Sequence, residues 1–232
     1  MPGRFRLPSN RLLVVTHAAC WAPLAWVLFS YWRDPLKVNP IQDFTFGTGL
    51  PALILLCLSL AVTPANTLLG WRWAIPLRRW LGLYAFFYVC LHLLIFVGLD
   101  YGFDPALIGE ALFEKRYALV GFAAFMLLLP LALTSTRGWQ KRLGRSWKRL
   151  HRLAYGAALL AVVHFVWLVK ADLREPLAYG AVVLGLLALR LPPVRRRLSG
   201  LRARLAARFG RRPETPTEPL PKISPPSARL DG

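Results

Sequence analysis

The sequence predicts an all-α integral membrane protein: a six-helix transmembrane bundle with both termini in the cytoplasm. Three observations predict it. Hydrophobic residues make up 56% of the chain while the net charge is +19, a pairing that suits a membrane protein with basic loops better than a soluble domain. The apolar residues fall into runs long enough to approach the roughly 20 helical residues that cross a hydrocarbon core. The charged residues lie between those runs, and the loop charge alternates along the chain. Charge dispersed in this way forms no single basic face, so no nucleic-acid partner is expected.

Six spans are expected: Leu12–Tyr31, Gly49–Val62, Trp80–Leu99, Tyr117–Leu133, Leu150–Val169 and Pro176–Leu191. The first follows Arg4, Arg6 and Arg11, as a signal peptide would. It continues as far as Trp32 with no Ala-x-Ala site behind a compact apolar core, so an uncleaved helix is expected. The second is short, with Pro51 near its start and Pro64 near its end as boundaries; it extends back through Gly47 or on to Thr67. The sixth is also short.

Loop charges set the orientation. The segment before helix 1 carries +3, the loop 33–46 is neutral, and the loop holding Arg72, Arg78 and Arg79 carries +3. Residues 100–116 carry −2, residues 135–149 carry +6, residues 170–175 are neutral, and the tail from Arg190 carries +8. Every second connection is basic, which places both termini inside under the positive-inside rule. Trp71, Trp73, Trp80, Trp139 and Trp147 lie on the basic side and Trp32 and Trp167 on the other, as interfacial belts do.

The chain therefore divides into a basic cytoplasmic N-terminus (1–11), a six-helix membrane domain (12–192) and a basic, then proline-rich, cytoplasmic tail (193–232). Val194–Arg212 carries eight arginines and no acid, with Leu198, Leu201, Leu205 and Phe209 at near-helical spacing. It reads equally as an amphipathic helix on the anionic inner leaflet or as a disordered basic tail. Six prolines in the last twenty residues predict no structure there. Cys20, Cys57 and Cys90 all lie in apolar runs and read as packing residues; no Cys-x-x-Cys-His is present for covalent haem attachment.

Histidines are the informative residues. An ionisable ring within a lipid-spanning helix costs free energy and marks a function by default. His92 lies thirteen residues beyond Arg79 on helix 3, and His164 fourteen beyond Leu150 on helix 5, both roughly 20 Å in along helices that run the same way. Two neutral imidazoles at one depth are what a haem iron takes as axial ligands, here in the outer half of the bilayer. His151 lies thirteen residues before His164, at the inner boundary. It is either a ligand of a second haem about 20 Å from the first or an interfacial base between Arg149 and Arg152. His17 is a further candidate ligand on the inner side, or a hydrogen-bonding partner of a neighbouring helix. Near the inner layer, Arg78, Arg79 and Arg152 suit haem propionates by bidentate pairing, and are equally explained by the positive-inside rule.

The stretch 143–155, Leu-Gly-Arg-Ser-Trp-Lys-Arg-Leu-His-Arg-Leu-Ala-Tyr, followed by His164-Phe165-Val166-Trp167, resembles the MsrQ (YedZ) family. Its members are haem-bearing membrane subunits of a bacterial periplasmic methionine sulfoxide reductase system. Arg78 to Leu83, Leu91-His92 and Leu131 to Ser135 agree with that family, and the likeness runs from helix 1 through helix 6. More distantly, the thirteen-residue histidine spacing on helix 5 is similar to the ferric reductase and NADPH oxidase transmembrane domain. That larger family places two histidines on each of helices 3 and 5, whereas helix 3 here has His92 alone, with arginines at 78 and 79.

The resemblance implies a b-type cytochrome in the bacterial inner membrane. It implies electrons drawn from the quinone pool and passed to a periplasmic molybdopterin subunit of the MsrP type, which reduces methionine sulfoxide in envelope proteins. One or two haems b and an FMN are implied, although the chain shows no flavin motif. About forty residues follow helix 6, too few for a flavin and nicotinamide domain, and no Gly-x-Gly-x-x-Gly fingerprint is present. Electrons are therefore expected from quinol or from a separate reductase, and the chemical step on the partner. Two alternatives remain: a stand-alone haem-containing metal or oxygen reductase fed by a separate cytoplasmic flavin reductase, and a haem-free scaffold or transporter. The apolar runs lack the paired broken midplane segments of a transporter.

Overall fold

The computed structural model describes residues 10–36, 38–169, 171–194, 196–197 and 200. Arg4, Arg6, most of the basic segment 194–212 and the proline-rich end lie outside them, as do the expectations placed there. The described chain is all-helical: α1 (Asn10–Arg33), α2 (Pro40–Leu69), α3 (Leu77–Ile95), α4 (Pro105–Glu114), α5 (Arg116–Leu133), α6 (Arg137–Leu143), α7 (Arg145–Leu150), α8 (Leu153–Leu168) and α9 (Arg174–Ala188). Among the described residues, five stretches are long and apolar enough to cross a membrane: Arg11–Arg33, Pro40–Leu69, Leu77–Asp100, Arg116–Leu133 and Arg145–Leu168.

The expected second span is much longer than its apolar run. Pro40 opens α2, where a missing N–H is harmless, and Gly70 closes it in the left-handed region (φ 73°) with its N–H on the Asn66 carbonyl. Pro51 and Pro64, expected as boundaries, both lie inside the helix. A proline within a helix frees the carbonyl four residues earlier, and in lipid that group needs another donor. For Pro64 the freed group is the Leu60 carbonyl, and the Arg190 guanidinium donates to it.

The expected sixth span is α9, fifteen residues long, or about 22 Å at 1.5 Å per residue. That is shorter than a hydrocarbon core of about 30 Å. Arg190, just beyond it, also donates to the Tyr155 hydroxyl at 2.6 Å and stacks over that ring, fastening the end of α9 to α8 and α2.

The acidic connection expected as a loop contains α4. Asp104 caps it, accepting from the backbone N–H groups of Ala106 and Leu107 at 2.8 and 3.3 Å, and Pro105 occupies the first helical position. Between α3 and α4 the chain makes a π-helical turn, Phe96–Asp100. Phe103 follows in the left-handed region (φ 62°), its ring lying over Gly98 so closely that a Cβ there would meet it at 2.9 Å. At the other end of the bundle, α6 and α7 form the strongly basic connection, and the Trp147 indole donates to the Thr134 carbonyl at 3.0 Å.

Two helix pairs make the frame: α2 packs along α3, and α5 along α8. Their shared core includes Leu60, Ala85, Tyr88, Ala157, Ala158 and Val183. Fully buried Tyr88 ties α1 to this frame: its hydroxyl donates to the Cys20 carbonyl at 2.8 Å and accepts from the Leu24 N–H at 3.1 Å. The hydroxyl thus bridges a donor and acceptor one helical turn apart beside Pro23.

Candidate functional site

The acidic end of the bundle, where α4 lies, encloses a cavity of about 580 Å³ between the two helix pairs. His92 and His164 face each other across it, ring centroids 6.0 Å apart and planes at 89°. Its walls are mainly apolar, with Leu53, Leu56, Val89, Phe125, Leu128 and Phe165 among them.

Each imidazole is held the same way. Nδ1 of His92 lies 3.0 Å from the Thr45 carbonyl oxygen, and Nδ1 of His164 lies 2.7 Å from that of Tyr117. A carbonyl only accepts, so each Nδ1 carries the ring proton and donates it, leaving the Nε2 lone pair as the coordinating position. A ligating histidine that donates its other nitrogen to a carbonyl is the usual supporting arrangement at metal centres.

Each ring also lies against a glycine on the partner helix. A Cβ at Gly49 would stand 3.0 Å from His92 Cε1, and one at Gly121 would stand 2.6 Å from His164 Nδ1. These glycines give the rings the volume that a side chain would occupy.

These features form a duplication. Thr45 and Tyr117, Gly49 and Gly121, and His92 and His164 are each 72 residues apart. So are further wall pairs: Ala52 and Ala124, Leu53 and Phe125, Leu56 and Leu128, Val89 and Ala161. The pair α2–α3 and the pair α5–α8 are two copies of one site-building unit. Sequence reasoning found the histidines and missed the carbonyls and glycines; the 72-residue offset was the signal that carried them.

The remaining expected site residues lie elsewhere. His151 sits in the turn between α7 and α8, stacked on Trp147 at 3.9 Å, its Nδ1 3.1 Å from the Trp147 carbonyl. His17 meets α3, its Nδ1 2.9 Å from the Tyr84 hydroxyl and its ring edge-on to Trp80 at 4.8 Å. Neither lines the cavity, and neither do Arg78, Arg79 or Arg152. Arg78 donates to the Thr63 hydroxyl at 3.4 Å, Arg79 lies over the Trp80 ring at 5.5 Å, and Arg152 is exposed. At the duplicate position of His151 stands Arg79.

The polar end of the cavity holds Asp100, Tyr101 and Lys115. Lys115 Nζ donates to the Tyr101 hydroxyl at 2.6 Å, and that hydrogen bond holds the ammonium pKa above its ordinary value. Chemically, the site offers two imidazole lone pairs across an apolar slot. Among the described residues no group of three His, Cys, Asp or Glu side chains is placed to hold a metal ion. The donor set therefore fits a metal that brings its own equatorial ligands, as haem does.

The paired-histidine cavity lies between two duplicated helix pairs of an all-helical protein with membrane-length apolar spans, and residues 46–162 match the family model "Ferric reductase like transmembrane component". The chain is 49% identical over 189 residues to the "Protein-methionine-sulfoxide reductase heme-binding subunit MsrQ" of Rhodospirillum rubrum, covering 81% of this chain and 91% of that protein. It is 45% identical over 183 residues to the protein of the same name from Xanthomonas axonopodis pv. citri, covering 76% and 84%. The chain belongs to the MsrQ family. No solved structure matches it.

Proposed function

We propose that this protein is a b-type cytochrome subunit that carries electrons across the bacterial inner membrane to a periplasmic methionine sulfoxide reductase. The observation that carries the proposal is the facing pair His92 and His164, each tethered through Nδ1 to a backbone carbonyl. The relatives' name, heme-binding subunit of protein-methionine-sulfoxide reductase, supports the same reading. Haem, when bound, supplies a reversible one-electron couple. The chain's own residues do the rest: His92 and His164 ligate, Thr45 and Tyr117 fix their tautomers, Gly49 and Gly121 admit the rings, and the apolar wall excludes water.

In this reading the protein has both termini inside and His92 and His164 in the outer half of the bilayer, with α9 completing six crossings. Quinol is the electron source, and the acceptor is a molybdopterin subunit of the MsrP type. FMN rests on the family resemblance alone. His151 is the ligand of a second haem only if a partner is recruited, because the duplicated unit supplies Arg79 opposite it.

The test is a reduced-minus-oxidised absorption spectrum of the purified protein, with haem counted per chain. A low-spin b-type signal, bleached when the MsrP-type partner and methionine sulfoxide are added, is the expected result. A colourless protein despite haem supply during expression overturns the proposal. A coloured one that reduces oxygen or ferric chelates without the partner favours the stand-alone reductase.

A further inference from the structure

The cavity between His92 and His164 is polar at one end only. Among the described residues that line it, Lys115 is the one permanent cation, and it stands at that end. This is also where the duplication fails. The position 72 residues before Lys115 is Asp43, which does not line the cavity.

The lysine is exposed, and its backbone and its ammonium are both tied. Its backbone links two helices: its N–H bonds to the Ala111 carbonyl at the end of α4, and its own carbonyl accepts from Ala118 at the start of α5. Its Nζ donates to Tyr101 and lies 5.3 Å over that ring, while the Tyr101 ring packs on Phe96 at 4.8 Å. An ammonium has three donors, and Tyr101 takes one. Asp100 shares this end of the cavity, but the lysine bonds to Tyr101.

We propose that Lys115, positioned by Tyr101, anchors the carboxylate side chains of the tetrapyrrole held between His92 and His164. The proposal rests on the haem reading and adds the residue that orients the group. Haem b is an apolar plate with two propionates on one edge, and that edge is costly to place among apolar walls but not at an open, polar end. A slot with one polar end accepts such a plate with its carboxylate edge toward that end. Arg78, Arg79 and Arg152, expected beside propionates on the inner side, do not line this cavity.

The test compares protohaem with its dimethyl ester, in which both carboxylates are neutralised. Each is titrated into full-length apoprotein from haem-starved cells, and binding is read from the low-spin absorption bands. Wild type should prefer protohaem about tenfold, the scale of one charge-assisted hydrogen bond. Lys115→Gln should bind the two alike, and Lys115→Arg should keep the preference. Lys115 is exposed and makes no side-chain cap, so these variants should fold. Lys115→Gln should also lower the midpoint potential, because losing a nearby positive charge favours the oxidised iron. Equal binding of the two compounds by wild type, or an unchanged preference in Lys115→Gln, overturns the anchor while leaving the haem reading intact. Failure of folded wild type to bind either compound overturns both.

Discussion

The two ends of this bundle use histidine differently. At the acidic end His92 and His164 face one cavity, each bonded through Nδ1 to a carbonyl and each against a glycine. At the basic end His151 stacks on its own helix-turn neighbour Trp147, and His17 bonds to Tyr84. The acidic end is built twice by one unit, while the basic end has Arg79 where the second copy has His151. His151 also has its Nδ1 beside a carbonyl, that of Trp147, so what distinguishes the acidic-end pair is that the two rings share one cavity and each lies against a glycine.

The contrast breaks most directly at the histidines. His92→Ala or His164→Ala should abolish the low-spin haem signal, read in a reduced-minus-oxidised spectrum; a normal spectrum in either variant would sink the pairing. Next come the glycines. Gly121→Ala should weaken haem binding tenfold or more and raise the high-spin fraction, since overpacking costs about 1–3 kcal/mol and the new methyl would meet His164 at 2.6 Å. Gly49→Ala, with its closest approach to His92 at 3.0 Å, should do the same more weakly, and the reverse order would contradict the geometry.

Basic-end changes should act on stability and leave the colour alone. Arg190→Met removes the donors to Tyr155 and to the Leu60 carbonyl, and should destabilise the bundle by about 1–3 kcal/mol, measured as a lower Tm in detergent. His151→Ala should leave the acidic-end signal unchanged. A fall in haem per chain would then identify His151 as ligand of a second haem, and an unchanged ratio would assign it to the helix turn. His17→Ala should have the smallest effect, the loss of one hydrogen bond to Tyr84, visible only as a slight drop in Tm.

What was legible in the sequence follows from what lipid penalises. An imidazole in an apolar run stands out by its cost, so His92 and His164 were visible at matched depth. The helical class and the long apolar spans were equally visible from composition. Tethers made by backbone were not: the carbonyls of Thr45 and Tyr117 act regardless of their side chains, and those side chains share no chemistry. Gly49 and Gly121 do not stand out among the 17 glycines of the chain; only their 72-residue offset, shared with His92 and His164, marks them. The limits of α2 were misread because Pro51 and Pro64 punctuate a helix in water, whereas a bundle can supply the missing donor from another helix. Asp104 before Pro105 is a cap signal that the sequence carries, whereas the net charge of that connection says nothing of a helix within it.

The bond between Arg190 and the Leu60 carbonyl also sets an order of assembly. Pro64 opens that carbonyl early in synthesis, and its donor lies 130 residues further along the chain. Until α9 arrives, the α2–α3 hairpin holds an unmet acceptor in a solvent that offers none. Within the described residues, α9 therefore closes the bundle as a latch, and the bundle is incomplete until it docks.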